Sequence, residues 1–243
     1  KESGVVVHSD DKGTKDTLLE RMQSYLYKKG EYNPENEHSF SPSFCNRLDR
    51  NTSGIIIGAK NAAALRIINE KIRSREIKKI YLCIVEGHLK KSGHLTAYLT
   101  RGDKKVTVSD YNEENSKKIG TKYNVIAEKK DTSLVEVELE TGRTHQIRVH
   151  MASIGHPILG DDVYGPAKCP FHLEGQTLHA KILGITHPAT GEYMEFDAPL
   201  PVQDIEVEMI KGEFHIDRLR NKNNPKLPPV QAQNQAKGPV EGV

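Results

Sequence analysis

The stretch Arg47-Leu48-Asp49-Arg50-Asn51-Thr52-Ser53-Gly54, followed by Ile55-Ile56-Ile57, holds more information about this protein than any other part of its sequence. One aspartate lies between two arginines, directly before a run of apolar residues. The arginines favour the ionised carboxylate, and each can present a planar pair of donors to a phosphate or a base edge. A surface ion-pair cluster in a turn is the simpler interpretation. The alternative is an anionic acid, at the mouth of a buried strand, in a site that binds a polyanion.

The length and composition are those of a globular protein with a charged surface. The chain has 243 residues, of which 36% are hydrophobic and 28% charged, and this length can bury a substantial core. No apolar run approaches the roughly 18 residues of a membrane span, so an integral membrane protein is excluded. The cysteines Cys45, Cys83 and Cys169 are too few and scattered for a disulfide framework. Reduced thiols and no visible signal peptide predict a cytoplasmic protein.

The net charge of +2 conceals a separation of charge along the chain. The segment from Lys60 to Lys105 holds 12 Lys/Arg and 4 Asp/Glu, whereas the segment from Glu192 to Asp217 holds 8 Asp/Glu and 1 lysine. Attraction to a phosphate backbone requires a basic segment of this kind near the site, although alone it would indicate only a solvated face.

Apolar periodicity and capping residues predict the helices and strands. Thr17 and Glu20 form a capping box for a helix over residues 17–29, Asn61 caps a helix over residues 62–74, and a third helix covers residues 144–153. Strands are predicted at residues 5–7, 54–59, 79–86, 93–100, 104–110, 119–129, 133–140, 177–186 and 192–197, with a loop at 31–43 and a short helix after Pro201.

Many sequential strands with few helices between them predict the α+β class, with a largely antiparallel, mixed sheet flanked by helices. Residues 1–220 are expected to form one domain. Residues 221–243 are rich in Asn, Pro and Gln and lack large apolar side chains, which predicts a disordered tail.

Two further stretches accompany the first one. Lys78–Gly87 contains Lys79-Ile80-Tyr81, and residues 142–150 read Gly-Arg-Thr-His-Gln-Ile-Arg-Val-His, continued by Gly155-His156-Pro157 and Gly160-Asp161. In order and spacing, over roughly residues 1–210, the three stretches resemble the motifs of the RluA family of RNA pseudouridine synthases. Three long motifs in the right order are far more specific than one short pattern.

The resemblance implies the pseudouridine synthase catalytic fold and the isomerisation of specific uridines to pseudouridine in structured RNA, with ribosomal RNA as the expected partner. It also implies an enzyme that needs no cofactor, and we expect a monomer.

The chemistry of this reaction indicates which residues it would need. Breaking the bond between C1′ and N1 of uridine places positive charge on the sugar, so an anionic carboxylate must stabilise or attack C1′. Asp49 is the only acid in its motif. By resemblance, Tyr81 stacks on the base and is a candidate for proton transfer, and Arg148 pairs with Asp49. Arg148 stands among apolar neighbours, and a partly buried arginine needs a carboxylate.

Other residues are candidates for RNA contacts. The uridine must leave the base stack before Asp49 can reach it, and by resemblance Arg47 fills the vacated space or holds the flipped nucleotide. The further candidates are Arg50, Lys79, Arg143 and His145.

Metal binding is not expected. Cys169 and His172 have a ligand-like spacing but no second pair of ligands. His145 and His150 would lie about 140° apart on a helix, which prevents them from sharing a metal ion.

Three other functions are weighed against this one. A non-catalytic RNA-binding protein with the same fold would have no use for an acid facing phosphates. A glycoside or nucleoside hydrolase would normally need a second acid in the motif. A synthase that acts on transfer RNA stays open, because the sequence does not identify the uridine or the RNA.

The sequence departs from the family pattern near its start. Lys1-Glu2-Ser3-Gly4 stands where the family reads Lys-Pro-x-Gly, and Asn46 stands where many members have histidine. Many members of the family carry a small RNA-binding domain before the catalytic region, and it is part of the basis on which they choose their target. We do not expect such a domain within these 243 residues.

Overall fold

The computed structural model describes residues 1–9, 13–103, 105–166 and 173–201. Within these ranges the chain forms three helices, α1 (Leu18–Lys28), α2 (Ala62–Arg73) and α3 (Gln146–Ser153). The strands are β1 (Ser43–Phe44), β2 (Ser53–Gly54), β3 (Gly58–Ala59), β4 (Lys78–Glu86), β5 (Ser92–Arg101), β6 (Val106–Ser109), β7 (Lys117–Lys129), β8 (Thr132–Leu139), β9 (Leu178–Thr186) and β10 (Tyr193–Asp197). The predicted helix after Pro201 and the predicted tail at 221–243 lie outside the described residues.

One eight-stranded sheet dominates the fold. Its order is β10-β9-β4-β8-β7-β5-β6, and β2 pairs with the part of β9 that β10 leaves free. The β2–β9 pairing is parallel, whereas the other pairings of this sheet are antiparallel. β1 and β3 form a separate antiparallel pair. The predicted α+β class with a largely antiparallel, mixed sheet is confirmed.

The first two helices begin where their capping residues indicate. The hydroxyl oxygen of Thr17 accepts a hydrogen bond from the backbone N–H of Glu20 at 3.2 Å, and the Glu20 carboxylate accepts one from the backbone N–H of Thr17 at 2.7 Å. The side-chain oxygen of Asn61 accepts a hydrogen bond from the backbone N–H of Ala64 at 2.8 Å. These three hydrogen bonds satisfy N–H groups that would otherwise be unpaired where each helix begins.

Two strand predictions are wrong because tertiary contacts override the local pattern. Residues 5–7 form no strand: the carbonyls of Val6 and Val7 accept hydrogen bonds from the first turn of α1, at 2.8 and 3.1 Å. The single strand predicted at 54–59 is divided into β2 and β3, because the chain leaves β9 after Gly54 and joins β1 at Gly58.

The core beneath the site lies between the central strands and α3. Tyr81 and Cys83 of β4 and Val135 and Val137 of β8 pack in one cluster with α3. The six residues 146–151 of α3 are all buried, so this helix is enclosed by the fold and can hold polar side chains in fixed positions.

Candidate active site

Asp49 lies in the loop between β1 and β2, and this loop is fixed on both sides. The N–H of Thr52 donates to the carbonyl of Asp49 at 3.1 Å, which closes a turn. Nζ of Lys1 donates to the carbonyls of Arg50 and Thr52 at 2.8 and 2.7 Å. Leu48 is buried in the central core. The Asp49 carboxylate, 22% exposed, is therefore presented from a loop with little freedom.

Gly54 anchors the end of this loop to the sheet. Its φ of +108° lies in a region that favours glycine. A Cβ at this position would lie 2.2 Å from the carbonyl oxygen of Ala180, so only glycine lets β2 approach β9 this closely. Beside it, the Ser53 hydroxyl and Nδ1 of His179 are hydrogen-bonded at 2.8 Å.

Arg148 of α3 joins two carboxylates. Its Nε and Nη2 donate to the two oxygens of Asp161 at 2.7 and 2.8 Å, and its Nη1 donates to Oδ2 of Asp49 at 3.2 Å. A weaker contact of 3.3 Å reaches the exposed Asp162. The side chains of Arg148 and Asp161 are 5% and 0% exposed. The predicted pair of Arg148 and Asp49 is present, but the two-donor contact of the guanidinium is made with Asp161.

The two buried charges hold each other ionised. Burial alone would raise the pKa of Asp161, but the hydrogen bonds and charge of Arg148 more than offset it and leave that pKa below its ordinary value. Burial likewise disfavours the charge of Arg148, and the bonds and charges of Asp161 and Asp49 raise its pKa above the usual range. A guanidinium is thus fixed beside Asp49 at every working pH.

Tyr81 lies on β4 in the narrow part of the site. It is buried, and burial, with the nearby charge of Asp49, raises its pKa well above the ordinary value. The phenol therefore keeps its proton at neutral pH. Its ring supplies an apolar, aromatic wall within reach of the Asp49 loop.

The turn before α3 is organised by Gln146. The side-chain oxygen of Gln146 accepts hydrogen bonds from the Thr141 hydroxyl at 2.8 Å and the Arg143 backbone N–H at 3.1 Å. Its side-chain nitrogen donates to the carbonyl of Gly120 at 2.9 Å and the hydroxyl of Thr121 at 3.0 Å. This buried amide ties the turn to β7.

His145 is held in a left-handed backbone conformation at this turn, with φ of +54°. The helix predicted at 144–153 therefore begins two residues late, at Gln146. Nε2 of His145 lies 3.9 Å from Oδ2 of Asp49, and Nδ1 lies 3.1 Å from the hydroxyl of Tyr164. Burial is the main reason that the pKa of His145 lies below its ordinary value.

Two cavities meet at Asp49. The narrow one, of about 60 Å³, is lined by Tyr81, Leu139, Ile147 and Leu178, among others. The wide cleft, of about 570 Å³, opens outward and has the size of a small-ligand site. The residues that line both are Arg47, Leu48, Asp49, His145 and Arg148.

Some of the candidate RNA-binding side chains line these cavities, whereas Lys79 does not. Arg47 and Arg50 are exposed on the Asp49 loop and line the wide cleft, and Arg143 is exposed and lines the narrow cavity. Lys79 lines neither cavity. It is half-buried on β4, and burial lowers its pKa. Its Nζ lies close to Gly142, since a Cβ built on that glycine would be 3.3 Å from it.

Four residues of the site were missed by reasoning from the sequence. They are Asp161, Gln146, Tyr164 and Arg101, the last of which lines the wide cleft from the end of β5. Asp161 could have been found from the sequence. A buried guanidinium has five N–H donors, and one aspartate accepts only some of them, so a second carboxylate such as that of Gly160-Asp161 is expected nearby. Arg101 and Tyr164 had no comparable signal, since their positions depend on how the β5–β6 hairpin folds over α3.

No group of three or more His, Cys, Asp or Glu side chains in the described ranges could hold a metal ion. Within the same residues, no helix is long and apolar enough to cross a membrane.

Most residues of this site lie in a part of the chain that matches a known protein family. Residues 1–153 match the family model of RNA pseudouridylate synthase, which includes Asp49, Tyr81 and Arg148. The chain belongs to the RNA pseudouridylate synthase family. The resemblance to pseudouridine synthases that the three motifs indicate is thereby confirmed.

Curated relatives agree with this assignment. An uncharacterised RNA pseudouridine synthase of Bacillus subtilis (strain 168), YlyB, is 38% identical over 202 residues, which cover 83% of this chain and 65% of that protein. Ribosomal large subunit pseudouridine synthase D of Zymomonas mobilis is 40% identical over 177 residues, which cover 68% of this chain and 55% of that protein. The chain thus spans between half and two thirds of the length of these relatives.

Solved structures share the fold. The human RNA pseudouridylate synthase domain containing 1 superposes with a TM-score of 0.68 at 24% identity, covering 93% of this chain and 91% of that one. The human domain containing 4 gives a TM-score of 0.65 at 22% identity, covering 84% and 85%. The sheet and helices described above are therefore those of a pseudouridylate synthase domain.

Proposed function

We propose that this protein isomerises specific uridines to pseudouridine in structured RNA of the cytoplasm, with ribosomal RNA as the target and Asp49 as the essential acid. One observation carries the proposal: a partly exposed carboxylate stands where two cavities meet, 3.2 Å from a buried arginine and next to the pocket of Tyr81. Family membership supports the reaction, and relatives named ribosomal large subunit pseudouridine synthase D support the target.

Asp49 acts on C1′ of the flipped nucleotide. The bond between N1 and C1′ breaks, and the carboxylate stabilises or attacks the positive C1′ that results. Of its two oxygens, only Oδ2 is hydrogen-bonded to Arg148 among the described residues. Oδ1 keeps its lone pairs for the sugar.

The contact between Asp161 and Arg148 leaves one oxygen of Asp49 available to the substrate. Because Asp161 takes the paired donors of Arg148, Asp49 receives a single donor, Nη1. A carboxylate bound by both donors would be a weaker nucleophile and would be held against α3. Arg148 therefore orients Asp49 and keeps it ionised without occupying it fully.

Tyr81 stacks on the detached uracil while it rotates. Once C5 has bonded to C1′, C5 loses its proton to a base and N1 gains one. A phenol that keeps its proton at neutral pH is a poor base, and Asp49 is the only carboxylate among the described residues that line the narrow cavity. We therefore assign stacking to Tyr81 and proton acceptance to Asp49, either directly or through water.

The cations hold the RNA around the flipped uridine. Arg47 lines both cavities and is exposed, which suits a residue that fills the vacated place in the stack. Arg50, Arg143, His145 and Lys79 contact the phosphates. No step calls for a cofactor, and we propose that the protein acts as a monomer.

The test compares Asp49→Asn with Asp110→Asn, which changes an exposed acid away from the site. RNA transcribed in vitro is incubated with each protein, and pseudouridine is mapped by its specific chemical adducts. Asp49→Asn is expected to abolish turnover and to bind RNA as well as wild type or better, because an anion facing a polyanion opposes binding. Residual activity within about tenfold of wild type, or roughly 1.4 kcal/mol of barrier, would exclude Asp49 as the essential acid.

The target is tested by offering large-subunit ribosomal RNA and transfer RNA separately to the wild-type protein. Modification of the ribosomal transcript alone supports the proposed target. Modification of transfer RNA alone would assign the protein to that substrate, and binding without any modification would indicate an RNA-binding protein that only keeps the fold.

A further inference from the structure

Tyr164 joins three parts of the site. Its hydroxyl lies 3.1 Å from Nδ1 of His145 and 3.1 Å from the backbone nitrogen of Val106. Its ring meets the ring of His145 edge to face, with centroids 5.7 Å apart. The guanidinium carbon of Arg148 lies 5.4 Å from the Tyr164 centroid. Tyr164 therefore contacts the turn before α3, the buried arginine and the β5–β6 hairpin at once.

The hydrogen bonds of Tyr164 determine where the proton of His145 resides. The backbone N–H of Val106 can only donate, so it donates to the Tyr164 oxygen. The phenol hydrogen then has Nδ1 of His145 as its acceptor. If Nδ1 carried the proton instead, the Tyr164 oxygen would accept twice, and its own hydrogen would have no acceptor among the described residues. With Nδ1 bare, the phenol hydrogen is paired and the imidazole proton, on Nε2, faces the Asp49 carboxylate. With Nδ1 protonated, the phenol hydrogen is unpaired and the lone pair of Nε2 faces that negative charge. The attraction to Asp49 therefore favours the tautomer with a bare Nδ1 and the proton on Nε2.

Nε2 of His145 faces the reaction centre. It lies 3.9 Å from Oδ2 of Asp49, which is too far for a hydrogen bond between the two side chains. An oxygen atom of a bound nucleotide can enter beside Asp49 and accept this N–H. The lowered pKa of His145 keeps the imidazole neutral at pH 7, so the choice of tautomer decides whether Nε2 donates or accepts.

The backbone conformation at His145 fixes the direction of its Cα–Cβ bond but not the orientation of its imidazole ring. The left-handed conformation is maintained by the hydrogen bonds of Gln146 to Thr141 and Arg143. In the described residues, Tyr164 is the one hydrogen-bond partner of the ring.

We propose that Tyr164 is a positioning residue, which holds His145 in the Nε2–H tautomer and so directs an N–H donor at an oxygen of the nucleotide beside Asp49. This inference rests on the proposed function, because it takes the ligand of the cleft to be a flipped nucleotide. It adds a role for a residue that does not itself touch the reacting atoms.

The first experiment reads the tautomer without RNA. Long-range ¹H–¹⁵N spectra of ¹⁵N-histidine protein distinguish bare from protonated ring nitrogens, and His145→Gln assigns the signals of His145. In wild type we expect a bare Nδ1 and a protonated Nε2. Tyr164→Phe, which removes only the hydroxyl, should give a mixture of tautomers. The control is Tyr111→Phe, which removes the hydroxyl of a tyrosine that is 81% exposed, and should leave the spectrum unchanged.

The second experiment measures single-turnover pseudouridine formation at saturating RNA. Tyr164→Phe should slow the reaction about five- to tenfold, the size of one hydrogen bond, with little change in RNA affinity. Glutamine can place an N–H near the position of Nε2, whereas asparagine cannot reach it. His145→Gln should therefore be faster than His145→Asn, and adding Tyr164→Phe to His145→Gln should cause no further loss.

The outcomes separate this proposal from the proposed function. A protonated Nδ1 in wild type, an unchanged tautomer in Tyr164→Phe, or an equal loss from Tyr164→Phe in the His145→Gln background would each overturn the role of Tyr164. A wild-type protein that modifies no RNA would contradict the proposed function, and the tautomer spectra would still decide whether Tyr164 controls His145.

Discussion

Arg148 is the residue on which the candidate site depends most, because it is almost fully buried and serves two carboxylates. Taking a charge out of water is costly, and only good geometry with complete hydrogen bonding offsets that cost. The paired contact with Asp161 supplies this geometry, at 2.7 and 2.8 Å. The contact with Asp49 uses the remaining donor. The stability of the fold and the orientation of the Asp49 carboxylate thus depend on the same guanidinium.

We expect Arg148→Lys to lose both properties. An ammonium group cannot reproduce the planar fork, so Asp161 would be left buried with an incomplete partner and Asp49 would lose its orientation. Thermal and chemical unfolding should show a loss of about 2 kcal/mol or more, and the single-turnover rate should fall at least about a hundredfold, or roughly 2.7 kcal/mol. Arg66→Lys, the same change at an exposed position of α2, is the control. Near-normal stability and rate in Arg148→Lys would show that the shared guanidinium is dispensable.

The sequence indicated one partner of Arg148 and not the other. Apolar neighbours and the motif pointed to a partly buried arginine that needs a carboxylate, and Asp49 was the acid already singled out. Which carboxylate takes the paired donors depends on how the chain after α3 returns across it. That is a property of the tertiary structure, and the local pattern around Asp161 does not contain it.

At the scale of elements, α3 is a helix that carries polar side chains into the core. Nδ1 of His150 lies 2.8 Å from the hydroxyl of Thr121, whereas its buried Nε2 has no hydrogen-bond partner among the described residues. Burial lowers the pKa of His150 to about 4. The helix is therefore compatible only with the neutral form of this histidine.

This predicts a definite pH dependence of stability. Between pH 6.5 and pH 4 the unfolded chain binds a proton at His150 and the folded chain does not, so stability falls as the pH falls through this range. Replacing His150 by glutamine should reduce the slope of unfolding free energy against pH by about 1.4 kcal/mol per pH unit near pH 5, whatever its effect on absolute stability. Denaturant titrations at several pH values measure the slope, with the exposed His38→Gln as control. Equal slopes in wild type and His150→Gln would mean that His150 is accessible to protons in the fold.

The junction of β2 and β9 makes a second prediction at this scale. Gly54→Ala must relieve a contact of 2.2 Å with the backbone of Ala180 at a positive φ, so we expect a loss of about 3 kcal/mol or more in unfolding free energy. Gly191→Ala also changes a glycine with a positive φ, of +74°, but with no atom within 4 Å, and should lose only about 1 kcal/mol. If the two variants lost the same amount, the close approach of β2 to β9 would not be what requires glycine.

The bounds of the long helices and strands could be predicted from the sequence, whereas the short strands β2 and β3 could not. The periodicity of β4 to β9 and the caps of α1 and α2 are local, so their bounds agree with prediction to within one or two residues. β2 and β3 have two residues each, and their division depends on partners in β9 and β1. The run Ile55-Ile56-Ile57 between them has the pattern of a strand and crosses from one sheet to the other.

On the scale of the whole molecule, the distribution of charge differs from what the basic segment at 60–105 suggested. Four of its cations are paired with glutamates, in the pairs Lys60–Glu31, Lys71–Glu76, Arg73–Glu70 and Lys78–Glu195. The helix α2 packs in a different core cluster from the one beneath the site. A count of charges along the chain therefore overstates how many of them face RNA.

Arg101 is the cation of this segment that lines the wide cleft. It ends β5, opposite Val106 in the hairpin, is exposed, and has no carboxylate partner in the described part of the chain. If it neutralises one phosphate, Arg101→Ala should weaken RNA binding on all sequences and reduce the slope of log affinity against log salt by about 0.7 to 0.9. Arg66→Ala removes an exposed arginine of α2 and should leave the slope unchanged. Binding is measured by titration over a series of salt concentrations with the Asp49→Asn protein, so that no turnover interferes. A slope that both variants share with the parent protein would place the path of the RNA away from Arg101.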